Sequence, residues 1–203
     1  MGKLRIMAGI AGALALGGCV VSEPAVTSAA HAPRAVAVAG ANVVVAGPAG
    51  YCVDSAASHD LRDGAFVVLG ACQALGGQGP VKKAGVLTAT VAAPDRGRIA
   101  GNAPQLGAFF ASDAGRRALS RAGQAESVDV LETRAEGDVL YLHLRDSAGA
   151  GVAGTTNDYW RAMFDVNDRI ATVSVLSFAD APRSASGGLT LARAFTRKIR
   201  SAN

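Results

Sequence analysis

Aromatic side chains are scarce in this chain: they make up 5% of its 203 residues, and only one is tryptophan. Histidine and cysteine occur three times each. Charge of one sign is not in excess either, with 20 Lys+Arg against 16 Asp+Glu and a formal net charge of +4. A balance this even, without a clustered basic face, excludes the usual nucleic-acid interface. Neither a G-x-S-x-G elbow nor an H-E-x-x-H helix occurs, so no ready-made hydrolase or metalloprotease signature is present. The stretch 76–83, GGQGPVKK, has glycine and lysine but not the phosphate-loop spacing, and Pro80 removes an N–H that a phosphate cradle would use. No cofactor is expected. Beyond the first residues the apolar runs are short and interrupted, so no further membrane span is expected.

The exception is the beginning, MGKLRIMAGIAGALALGGC. Lys3 and Arg5 precede an uncharged apolar run from Ile6 to Leu16, which suits a signal-peptide core and is too short to span a bilayer. It ends in Leu16-Gly17-Gly18-Cys19, which resembles the lipobox of bacterial lipoproteins. The resemblance implies diacylglycerol on the Cys19 sulfur and cleavage before it. Val20 stands where an Asp often signals inner-membrane retention in that family, which favours the outer membrane. The expectation is a periplasm-facing domain held on the cell envelope by lipid. Loss of residues 1–18 removes two cations and no acid, leaving a net charge of +2.

Residues 19–41 are mostly Ala, Val, Pro and Ser, with no aromatic residue, and read as a flexible tether in which His31 has no chemical role. Residues 42–203 are enough for one core of ordinary size. Strand patterns occur at 43–45, 51–53, 65–71 and 86–92. Residues 55–64, SAASHDLRDG, read as a polar turn, with Asp54 and Ser55 capping a helical turn. One or two helices follow, with Leu106, Phe109 and Phe110 on one face, Ser112-Asp113 re-capping the second, and Gly123 ending it. Strands return at 128–133 and 139–145. In the latter Leu140, Leu142 and Leu144 face one side, and Val139, Tyr141 and His143 the other. Asn167-Asp168 joins strands at 158–166 and 169–178 as a hairpin turn without the preferred glycine. A loop at 182–188 leads to a final helix at 189–200. The order predicts an α+β fold: an antiparallel sheet, one or two helices after the first strands, and a C-terminal helix, all helices on one face. GPAGYCVD, the hairpin at 160–178 and the final helix resemble the PsbP-like α/β/α sandwich. That resemblance implies a binding or assembly factor rather than an enzyme.

With Cys19 assigned to lipid, Cys52 and Cys72 remain as an even pair in an oxidising compartment. A hairpin folding near Arg62 brings them across from each other, and a disulfide is expected. The spacing is unlike the C-x-x-C of redox-active pairs. It also gives Cys52, His59, Asp60 and Cys72 none of the close ligand pairs of a zinc site, so no metal is expected. His143 is mid-strand beside Tyr141 with Asp146 close in sequence. An envelope hydrolase using His143 or His59 with nearby carboxylates is the alternative to a non-catalytic binding or assembly module. For that module, Tyr141, His143 and Trp160 are the candidate contact surface, and an envelope protein is the expected partner.

Overall fold

A computed structural model describes residues 31–40, 42–61, 64–80, 84–149 and 151–203. The stretch read as a signal peptide, Cys19 and Arg62 lie outside the described residues. Five strands precede the first helices: β1 (Ala35–Val38), β2 (Val43–Ala46), β3 (Tyr51–Leu61), β4 (Gly64–Ala71) and β5 (Val86–Val91). Then come α1 (Ala103–Ala111), α2 (Asp113–Leu119), β6 (Val128–Glu136), β7 (Val139–Asp146), β8 (Thr155–Val166), β9 (Arg169–Phe178) and α3 (Ala185–Arg200). The α+β expectation holds. β3 to β9 form a seven-stranded sheet in the order β3-β4-β5-β9-β8-β7-β6, and every neighbouring pair is antiparallel.

Alternation along the strands makes two cores. Val53, Val67, Leu69, Leu87, Ala89, Val91, Tyr141, Trp160, Phe164 and Val173 point to one side, where α3 contributes Leu189, Ala192, Phe195 and Ile199. The β1–β2 hairpin closes the same side with Val38, Val43 and Val45. On the other side Leu140, Leu142 and Leu144 pack with Ile99, Ala103, Phe110 and Leu119. The helices therefore cover both faces, not one. The reason is legible in β7, whose two faces are both apolar: a strand buried on both sides needs a layer on each.

Several local expectations change. Ala35–Val38 lies in the stretch read as tether, yet it is a strand paired in register with β2. Residues 55–61 are strand, not a helical turn capped by Asp54 and Ser55. The register slips between Asp54 and His59, and the bulge is satisfied by side chains. Asp54 accepts from the amides of Ala56 and Ala57 at 3.1 Å each. Ser58 Oγ donates to the Asp54 carbonyl and accepts from Val68 N. Polar residues that read as a turn thus complete a broken ladder instead.

In α1 the buried residues are Ala103, Gly107 and Phe110, whereas Phe109 is exposed. The small residues win the inner face because a Cβ at Gly107 would come within 2.6 Å of Thr133 on β6. Ser112 caps α2 as expected, accepting from Gly115 N. α3 starts at Ala185 rather than 189, with Ser184 accepting from Gly187 N. The Asn167-Asp168 turn forms with both residues at positive φ, 45° and 59°, values that Asn and Asp tolerate in a two-residue hairpin.

Candidate functional site

Cys52 and Cys72 are joined by a disulfide, with their Cα atoms 4.8 Å apart. Tyr51 pairs with Ala71 and Cys52 with Gly70, so the cysteines are not directly opposite. Cys72 lies just past β4 at the start of a 3-10 turn, Cys72–Leu75, and the chain's curl there brings the sulfurs together. His31, Ala32 and Arg34 border the same recess as the two cysteines. Pro33 and Arg34 are held by backbone bonds to Val53 and Gly47. With both sulfurs bonded to each other, neither is a thiolate that could join His59 and Asp60 in holding a metal. Asp60 instead accepts from Ala39 N at 2.8 Å.

His143 and His59 are on different parts of the sheet. Four strands separate β3 from β7, which is about 24 Å at the normal strand spacing. His59 is exposed on an edge strand. His143 is more constrained. It is directly opposite Trp160 across the β7–β8 pair, and the two rings stack with centroids 4.8 Å apart and planes within 3°. Two residues before Trp160, Asp158 is on the same face and reaches the imidazole: His143 Nε2 is 2.5 Å from Asp158 Oδ1. An ionised carboxylate only accepts, so Nε2 carries the proton. The other carboxylate oxygen is 3.5 Å from Arg145 Nη2.

The pair lies at the mouth of a cavity of about 250 Å³ under the first turn of α3. Thr156, Ser177, Arg183, Ser184 and Gly188 also line it. Gly188 lets the helix pass directly over the indole, since a Cβ there would come within 2.6 Å of Trp160 Cδ1. Three hydroxyls around the cavity have backbone partners. Thr156 donates to the Asp158 carbonyl, Ser177 accepts from Arg183 N, and Ser184 accepts from Gly187 N. The Arg183 guanidinium donates to the Tyr51 hydroxyl at 3.2 Å and to the Ala84 carbonyl at 2.6 Å. Burial pushes the Tyr51 hydroxyl pKa up, against the opposing charge and hydrogen bond of Arg183. Among the described residues, the imidazole's side-chain hydrogen bond is to Asp158 alone.

The arrangement is therefore an oriented histidine–carboxylate pair with no nucleophile bonded to it. Asp146, the carboxylate nearest His143 in sequence, has another task. It is fully buried and accepts from Arg121 N and Ala148 N at 3.0 Å each. Burial works to raise its pKa; those two amides, the Ser127 hydroxyl and the Arg121 charge outweigh this and hold it below the usual carboxylate range. Tyr141 and Trp160 are 4% and 2% exposed, so neither offers an open contact surface: Tyr141 is packed in the core under α3, and Trp160 lines the cavity beside His143. Alternation showed which face they share but not which layer covers it. The role of Asp158 was not anticipated, although its position two residues before Trp160 on one strand face is a readable signal. No family model matches the chain, and no curated protein matches its sequence.

Proposed function

We propose that this protein is a lipid-anchored lipoprotein of the cell envelope whose stapled domain binds or helps assemble another envelope component without catalysis. The observation that carries the reading is the Cys52–Cys72 bond. A disulfide is at home in an oxidising compartment. Its position beside residues 31–34 fastens the point at which a tether from Cys19 would pull. The lipobox resemblance supplies the anchor, and outer membrane is favoured by Val20. The helix layers on both faces of the sheet match what the PsbP-like resemblance implies, and the binding or assembly role comes from the same resemblance.

The hydrolase alternative draws on the His143–Asp158 pair in its cavity. It lacks the next member of the relay, because among the described residues no hydroxyl is hydrogen-bonded to the imidazole. His59 is too far away to complete it. Fractionation of cells producing wild type and Cys19→Ala tests the anchor. The wild type should sediment with membranes and the variant should be released; unchanged sedimentation would sink the proposal.

A further inference from the structure

Across the sheet from α3, the helix layer is incomplete. α1 and α2 pack on β6 and β7, and among the described residues no helix packs on the same face of β4, β5 and β9. The side chains there are not those of an ordinary solvated sheet face. Thr90 is opposite Thr172, and Thr88 is opposite Ser174, giving four hydroxyls in two adjacent rows. The Thr88–Ser174 row continues to Arg161, which is opposite Ser174 on β8. The Thr90–Thr172 row continues to Phe66, on β4 opposite Thr90 and 37% exposed. On the other face of these same strands stand Leu87, Ala89, Val91, Ala171, Val173 and Val175.

These residues line a cleft of about 310 Å³, walled on one side by Arg161 and Arg121 and lined by no carboxylate among the described residues. The two guanidinium carbons are 5.0 and 5.4 Å from the centroid of the Tyr159 ring. Arg121 is partly answered by Asp146, 3.5 Å away, and by the Gly149 carbonyl. Arg161 has no ion-pair partner among the described residues, and its Nε is buried without a hydrogen bond. A half-buried guanidinium without a counter-charge, facing a carboxylate-free cleft, is a standing site for an anion.

We infer that this cleft binds an acidic saccharide: a sugar ring whose carboxylate pairs with Arg161. The sugar hydroxyls exchange hydrogen bonds with Thr88, Thr90, Thr172 and Ser174, and its apolar face rests against Phe66. The volume is at the small end of ligand pockets, which suits one ring rather than a long chain. The inference deepens the proposed binding role and rests on it for the idea that a ligand exists. It does not depend on the lipid anchor, which fractionation tests separately.

The test is titration of the full chain with glucuronate, glucose and inorganic phosphate, followed through the backbone amide resonances of residues 88, 90, 172 and 174. Glucuronate should shift those resonances, and glucose should bind at least tenfold more weakly. Arg161→Gln should weaken glucuronate at least tenfold with little change in melting temperature. Thr172→Val, a substitution that strands accept readily, should weaken it several-fold and serves if the arginine variant does not fold. Equal binding of glucuronate and glucose, no binding of either, binding of phosphate alone, or an unchanged affinity in both variants would each overturn the inference.

Discussion

The disulfide has a consequence that can be computed from its place in the chain. Cys52 and Cys72 are 20 residues apart. Closing a loop of that size in the unfolded chain removes about 11 cal/mol/K of entropy, or roughly 3 kcal/mol at 25 °C. For a domain of this size each kcal/mol is worth about 2–4 °C in melting temperature, so breaking the bond should lower it by roughly 6–13 °C. Alanine is the replacement of choice at both positions, because Cys52 is 4% exposed and a serine would bury a hydroxyl. Calorimetric melting of wild type, reduced wild type and the Cys52→Ala/Cys72→Ala variant should place the last two together, well below the first. A shift under about 2 °C in both would mean that the β3–β4 pairing alone holds this hairpin, and the staple argument would be wrong.

Three further outcomes follow from the packing. Phe195 is fully buried in α3 against the sheet, and Phe195→Ala should cost about 3–5 kcal/mol in chemical denaturation. Gly188→Ala gains about 1 kcal/mol of helix propensity but drives a Cβ to within 2.6 Å of Trp160, an overpacking worth about 1–3 kcal/mol. Net destabilisation should appear together with a shifted emission from this single tryptophan. Asp146→Asn should cost about 3 kcal/mol, because the amide replaces an ionised acceptor of two backbone bonds. The folded pKa of Asp146 is below its unfolded value, so its contribution is present above the usual carboxylate range and is lost as pH falls through and below that range. Denaturation at several acidic pH values should show a flatter loss of stability in the asparagine variant than in wild type.

The alternation of β7 and β8 and the helical stretches at 103–119 and 189–200 carry most of the architecture, because period and capping residues are local properties. What local reading missed was decided by partners. The segment 55–61 is polar because its side chains repair a bulge, and nothing within it reveals the strand it pairs with. β1 looked like tether because a four-residue Ala-Val strand gains its stability from β2 and from the chain's anchorage on β3. The two glycines at the start of α3 argue against a helix until Trp160 is found beneath Gly188. At the cavity, His143 could be singled out from composition. The reach of Asp158 to the imidazole could not, because it depends on the β7–β8 register. The hydroxyl grid on β5 and β9 likewise exists only once Thr88 and Thr90 stand opposite Ser174 and Thr172.

The most direct test of the central claim is the intact mass of the protein extracted from its own membranes. The account predicts a chain that begins at Cys19, carries a diacylglyceryl group on that residue, and is two hydrogens lighter than the reduced form at Cys52 and Cys72. A chain that retains residues 1–18, or one with an unmodified Cys19, would contradict it.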